Sequence, residues 1–226
     1  KAYDSQREAL KGADFVINAI QVGGYDPCVI NDFEIPLKYG LKQTYADTLG
    51  IGGIFRGLRT IPVMKGITDD MEECCPDALL LNYTNPMAIV TGAMQKNSSI
   101  KAIGLCHSVQ VCAHDLLEGL GMETDQVEYE IAGINHQAWL LEVKRNGGDL
   151  YPEIKERAGK KTEKHDDMVR YEIMKRFGYY VTESTQHSGE YLPYFIKKSY
   201  PELTERFGLH TDMYKDWGKS QAAYWE

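Results

Sequence analysis

The sequence predicts an α/β fold: a parallel sheet with crossover helices, followed by a mixed α+β region. Two observations carry the first half. Short apolar runs rich in β-branched or leucine residues alternate with helical stretches up to Gly121, and each run ends in a Gly-, Asn- or Cys-containing turn. A third observation marks the second half, where strict alternation stops and strand-like runs follow one another directly. The organisation expected is a domain over residues 1–121 and a second over 122–226.

Taken in order, Asp14–Val22 (DFVINAIQV) is a buried strand closed by Gly23-Gly24. Gly53–Cys75 is a long helix, weakened by Pro62 and Gly66. Ala78–Tyr83 (ALLLNY) is a second strand, and Pro86 opens the helix Met87–Lys96, since proline is tolerated where a helix begins. Ile100–Cys106 is a third strand and Val109–Leu120 a third helix, ended by Gly121. Beyond it, Val127–Ala132 and Ala138–Lys144 read as strands, the second running into a Gly147-Gly148 turn. His165–Phe177 reads as a helix and Tyr179–Glu183 as a short strand. The stretch from Lys160 to Lys164 reads as a solvated loop.

Composition excludes several functions. The 226 residues carry 33 acidic and 25 basic side chains, a net charge of −8, which argues against a nucleic-acid surface built on clustered Lys and Arg. No apolar run approaches the ~20 residues of a membrane helix, so no membrane partner is expected. Five irregularly spaced cysteines do not make a disulfide framework, and a reducing, cytoplasmic setting is expected. The chain opens at Lys1 in what reads as a helix tail and stops at Tyr224-Trp225-Glu226 without a terminating signal. It is therefore expected to be a piece of a longer protein.

Three clusters could hold chemistry. If the strands are parallel, Gln21-Val22-Gly23-Gly24, Asn82-Tyr83-Thr84-Asn85-Pro86 and Cys106-His107-Ser108 open on one sheet edge, where α/β proteins bind ligands. Turn-making is the commoner task of such residues. The fingerprint GxGxxG is absent after the first strand, and GIGGIFRG from Gly50 lacks a strand before it. Cys106 and His136 form a second pair, both suited to a transition ion, although a buried Cys or a lone His is usually structural. Thr182–Tyr194 (TESTQHSGEYLPY) gathers Glu183, His187, Glu190, Tyr191 and Tyr194, as proton-transfer groups or as an ordinary tyrosine-rich loop.

Six segments together resemble glycoside hydrolase family 4, most closely its α-galactosidases. They are VGGYDPC from Val22, QTYADTLGIGGIFRGLRTIP from Gln43, LNYTNPM from Leu81, GLCHSVQ from Gly104, AGINHQAW from Ala132 and VTESTQHSGEYLPYF from Val181. The resemblance implies an incomplete Rossmann-type NAD domain joined to a catalytic domain of the lactate/malate dehydrogenase C-terminal type. It implies cleavage of a small-molecule glycoside by oxidation at carbon 3, elimination and water addition, with NAD and Mn²⁺ as cofactors.

By the same resemblance Cys106 and His136 are the metal ligands, and Asn85 lies near substrate and nicotinamide. Gln21, Gly23, Gly24 and Asn82 belong to the cofactor site, and Tyr191 matches the catalytic tyrosine, with Glu190 and His187 as fallback bases. His107 stands where other members carry an acidic proton donor, so it either protonates the leaving oxygen or binds the sugar. Arg59 either partners substrate or cofactor or is a helix-surface charge. Homodimers or tetramers are what the family suggests.

The alternatives are an α-glucosidase or α-galacturonidase of the same family, a malate/lactate-type dehydrogenase with no use for a Cys106–His136 pair, and a non-catalytic fragment that only assembles. With the upstream Gly-rich turn absent, the 226-residue chain is expected to bind NAD weakly or not at all. Calorimetry checks this, and tight saturable binding would contradict it.

Overall fold

A computed structural model describes residues 1–225. Contacts divide the chain into two compact units. The first comprises Lys1–Leu41, Ala46–Cys106 and the chain from Tyr214; the second comprises Lys42–Tyr45 and His107–Met213. By these contacts α5 goes with the second unit, and the chain passes from one unit to the other between Cys106 and His107. The reason is packing: Cys112, Ala113, Leu116 and Leu117 of α5 (Ser108–Gly119) are buried with Leu140 and Val143 of the second unit.

In the first unit, β1 (Phe15–Asn18), β2 (Leu79–Asn82) and β3 (Lys101–Gly104) form a parallel sheet in the order β1-β2-β3. Phe15 pairs with Leu79, and Leu79 with Lys101. Helices α1 (Gln6–Leu10), α2 (Ile30–Lys38), α3 (Gly50–Cys74) and α4 (Met87–Asn97) complete it, with α10 (Met213–Trp225) from Tyr214 onward. The core joins Met64 and Met71 of α3 to Leu80 of β2, Val90 and Met94 of α4 and Ala102 of β3. The opposite sheet face is open, with Phe15, Ile17 and Ile103 exposed. The strands are shorter than their apolar runs, because β1 stops at Asn18 and the chain turns before Gly23.

Helix α3 runs unbroken through Pro62 and Gly66. Proline removes a donor, but Pro62 and Leu58, whose carbonyl loses its partner, lie on the exposed side where water can serve. Three longer helices of the chain were not legible: α2, α6 (Tyr151–Lys160) and α10.

The second unit is built on a long antiparallel hairpin, β4 (Val127–Ile134) with β5 (Gln137–Arg145). The short strands β6 (Gly148–Asp149) and β7 (Tyr180–Val181) both pair with β5. Helices α5, α6, α7 (Met168–Phe177), α8 (Thr185–Tyr191) and α9 (Glu202–Arg206) accompany them. One core packs α5 and α6 on β5 through Leu116, Leu117, Leu140 and Ile154; another gathers Val169, Ile173, Val181 and Phe195. No helix among the described residues is long and apolar enough to cross a membrane. Among the described residues no disulfide joins any of the five cysteines.

Buried tyrosines brace this unit. Tyr180 donates to Asp167 at 2.8 Å, and the Arg170 guanidinium lies over its ring at 4.2 Å. Tyr151 donates to the Leu140 carbonyl and accepts from Tyr180 N at 3.1 Å. Burial pushes the Tyr151 and Tyr180 phenols above their ordinary range, and Tyr171 up to about 12. These groups stay neutral in the fold while the unfolded chain ionises near pH ~10, so their stabilisation is full below that pH and lost as pH rises through the folded values. Denaturant midpoints are expected to hold steady through mild alkali and to fall progressively above about pH 10, and Tyr180→Phe is expected to flatten that slope.

Candidate active site

On the first unit, neutral hydrogen bonds close the carboxyl ends of the strands. Asn82, 1% exposed, accepts from Asn18 Nδ2 (2.7 Å) and Thr84 N (3.0 Å) through Oδ1. Its Nδ2 donates to Thr91 Oγ1 (3.0 Å) and the Thr84 carbonyl (3.3 Å). Both lone pairs and both protons of the amide are thus engaged. Asn82, expected at the cofactor site, braces the turn that carries Asn85.

Asn85 donates from Nδ2 to Asp47 Oδ2 at 2.8 Å and accepts from Met87 N at 3.2 Å, while its carbonyl accepts from Arg56 Nε at 3.1 Å. Asp47, 5% exposed, also accepts from the Thr48 hydroxyl at 2.9 Å. It was missed because a single Asp in a loop carries no spacing signal.

Gly23 and Gly24 adopt φ +88° and +62°, left-handed conformations that glycine takes without strain. A Cβ on Gly23 would collide with the Cys28 sulfur, so only bare backbone fits there. Gln21 is exposed and accepts from the Tyr214 hydroxyl at 3.1 Å. Cys106, partly buried, follows β3.

Arg59 is not a free helix-surface charge. Its guanidinium grips buried Asp32 in a bidentate pair, Nη1–Oδ1 2.8 Å and Nη2–Oδ2 2.6 Å. The hydrogen bonds to Asp32 raise the Arg59 pKa further. Its Nε is buried without a partner.

On the second unit the histidines and tyrosines gather. His136 is the second residue of the two-residue β4–β5 turn and sits at φ +59°, 9% exposed. Its Nδ1 lies 3.2 Å from the Tyr191 hydroxyl and its Nε2 3.6 Å from Glu183 Oε1. The other oxygen of Glu183 is 3.7 Å from His187 Nδ1, so one buried carboxylate stands between two imidazoles.

TESTQHSGEYLPY is no tyrosine-rich loop: Ser184 caps α8 by accepting from His187 N, and the helix runs to Tyr191. His187, Glu190 and Tyr191, at i, i+3 and i+4, therefore share one face. Tyr194 instead makes ring contacts with Phe177 and Phe195. Next to His136, both amide atoms of Asn135 are buried without a hydrogen-bond partner. Such atoms are rare in native proteins and mark places where a ligand or water completes the set. His107 is exposed at the start of α5.

Comparison with known proteins gives this arrangement its class. A profile of the family 4 glycosyl hydrolases matches residues 1–122, and one of their C-terminal domain matches residues 131–225. The chain belongs to family 4 of the glycosyl hydrolases. Over 226 residues it is 62% identical to an alpha-galactosidase of Bacillus subtilis, covering all of this chain and 52% of that protein. It is 39% identical to an alpha-galactosidase of Rhizobium meliloti over 87% of this chain and 41% of the other. An alpha-galacturonidase of Thermoanaerobacter italicus is 31% identical over 93% of this chain and 51% of its own length.

Among solved structures, a putative glucosidase lplD of Bacillus subtilis superposes with a TM-score of 0.82 at 27% identity, over 99% of this chain and 56% of that one. A 6-phospho-alpha-glucosidase from gut microorganisms, solved with NAD and Mn²⁺, shares the fold at a TM-score of 0.71 and 23% identity, over 97% and 54%. The chain spans about half the length of the curated relatives it matches.

The Arg59–Asp32 pair is open to test. Arg59→Met leaves Asp32 buried without its cation and is expected to destabilise by ~2–3 kcal/mol, below the full cost of a buried pair because Arg59 reaches water. Adding Asp32→Asn is expected to recover part of that loss in denaturant melts.

Proposed function

We propose that the whole protein to which this chain belongs is an NAD- and Mn²⁺-dependent α-galactosidase. The observation that carries the reading is the His136–Tyr191 hydrogen bond inside a buried cluster, in a chain of this family. The residues suit the two groups. His136 Nε2 beside a Glu183 oxygen offers nitrogen and oxygen donors of the kind Mn²⁺ takes, and Cys106 is the thiolate ligand that the family resemblance assigns. The bare Gly23-Gly24 backbone suits close approach by a cofactor.

When bound, NAD supplies hydride exchange at carbon 3 of the sugar and Mn²⁺ supplies Lewis-acid charge beside it. The chain's own residues do the rest. Tyr191 removes the proton from carbon 2. A free phenol, with a pKa of about 10, is a weak base at neutral pH, and a donor on its oxygen favours the ionised form. His136 would be that donor: in the tautomer that keeps its proton on Nδ1, it donates a hydrogen bond to the Tyr191 oxygen, 3.2 Å away, and leaves Nε2 available to a metal.

His107 protonates the leaving oxygen or binds the sugar. Asn85, fixed by Asp47 and Arg56, presents its turn to substrate and nicotinamide. Gln21 and the Gly23-Gly24 backbone line the cofactor. The unpartnered Asn135 amide supports the reading, since a polyhydroxylated ligand offers both donors and acceptors to it. Assembly as a homodimer or tetramer belongs to the same reading and is checked by light scattering.

The assay is hydrolysis of nitrophenyl α-galactoside by the full-length protein with Mn²⁺, NAD⁺ and a thiol. Turnover is expected, with loss on chelation and recovery on adding Mn²⁺. Cys106→Ser is expected to raise the Mn²⁺ requirement steeply, and Tyr191→Phe to lower kcat by ~10²–10⁴-fold, the usual worth of a proton-transfer group. Turnover of the galacturonide alone would reassign the sugar and leave the class intact. Turnover indifferent to chelation and to Cys106→Ser would remove the metal from the scheme.

A further inference from the structure

Glu190 was a fallback base from sequence, but its surroundings give it another task. Its Oε2 accepts from Thr44 N at 3.1 Å, from the Thr44 hydroxyl at 2.6 Å and from Tyr45 N at 2.7 Å. An oxygen that accepts from three donors on two neighbouring residues is an anchor. What it anchors is the Lys42–Tyr45 segment, which belongs to the second unit although it precedes the rest of that unit by some sixty positions. The Gln186 carbonyl lies 2.9 Å from the same Thr44 hydroxyl, whose single proton it shares with Glu190, so both acceptors are on α8.

The anchored segment ends in an aromatic ring. Tyr45 stacks on His187 with centroids 3.7 Å apart and planes at 18°. His187 is held further by Ser184 Oγ, 3.0 Å from Nδ1. Its ring meets His136 edge-on at 4.8 Å and Tyr191 at 5.6 Å. The chain of contacts therefore runs from Glu190 through Tyr45 and His187 to the His136–Tyr191 pair.

We propose that Glu190 is a positioning residue: by fastening Thr44 and Tyr45 it clamps the His187 ring, and with it sets the spacing of His136 and Tyr191. The proposal rests on the functional reading above for its kinetic consequence, and on the geometry alone for its structural one. Tyr45 is the lever, through the face of the ring that stacks on His187. Misplacing a reacting group by about 1 Å costs on the order of 10²-fold in rate, which sets the scale to expect.

Two measurements on the full-length protein test it. In kinetics, Glu190→Ala and Tyr45→Ala are each expected to lower kcat by ~10²-fold with KM changed less than about threefold, and the double variant to be no worse than either, because both break one chain of contacts. Glu190→Gln, whose amide oxygen still accepts from Thr44 and Tyr45, is expected to retain activity within about tenfold. A Glu190→Gln variant as inactive as Glu190→Ala would make the carboxylate a proton-transfer group and overturn the proposal, as would full activity in Glu190→Ala.

The second measurement needs no turnover and no metal. The side-chain NMR resonances of His187 and His136 are expected to shift or broaden in Glu190→Ala and to stay in place in Glu190→Gln. Unmoved resonances in Glu190→Ala would overturn the clamp whatever the enzyme proves to hydrolyse. A wild-type protein without glycosidase activity, by contrast, would overturn the functional reading and leave the clamp to be decided by these spectra.

Discussion

A two-residue turn places His136 in the left-handed region, and the cluster of the second unit depends on that backbone constraint. A non-glycine residue there costs of order 1–3 kcal/mol and persists only where its surroundings hold it. The β4–β5 ladder does so, pairing Ile134 with Gln137 immediately either side of the turn and continuing to Val127 with Arg145. Gly133 contributes by being bare: a Cβ there would come within 2.5 Å of Ala138 Cα, so the strands could not close as tightly. The ring is then oriented by two different partners, a phenol on one nitrogen and a carboxylate on the other. A flipped imidazole would have neither relation, which makes the ring's orientation as determined as its position.

The first unit solves a different problem, that of ending three parallel strands without leaving buried amides unpaired. Asn18, Asn82, Thr84 and Thr91 satisfy one another, and Thr84 reaches back to the Ile20 carbonyl at 2.9 Å. Because this network uses neutral groups, it carries little desolvation cost compared with buried charges. What it leaves facing outward is backbone at Gly23 and Gly24 and the exposed Gln21.

Much of this was legible in the sequence and some was not, for definable reasons. β2, α4 and α5 fell close to their expected places because apolar periodicity and turn residues are local signals. α2 was lost among Pro27, Pro36 and scattered charges, and α8 because Gly189 and a run of polar residues imitate a loop. Gly189 is in fact required, since a Cβ there would strike Leu209. The motifs pointed to His136 and Tyr191, yet not to Asp47, Asn135 or Asp32, each a lone polar residue whose meaning lies in its partner. The Thr44–Glu190 bonds join residues 146 positions apart, and no single-sequence pattern encodes such a pair.

Helix α8 makes the general point. Seven residues are too few to be helical in isolation, where even ~12–15 are marginal, so its shape is borrowed from outside. Ser184 supplies the cap, Leu209 packs against the bare Gly189, and Glu190 ties the C-terminal turn to Thr44 and Tyr45. A carboxylate suits that last task better than a neutral acceptor, because one charged oxygen can serve several backbone donors at once with bonds roughly twice as strong. The side chains on the helix face are thus only as well placed as its external ties allow. A short element held at several points has no slack with which to move His187 or Tyr191 independently, so its ties set the position of both rings together.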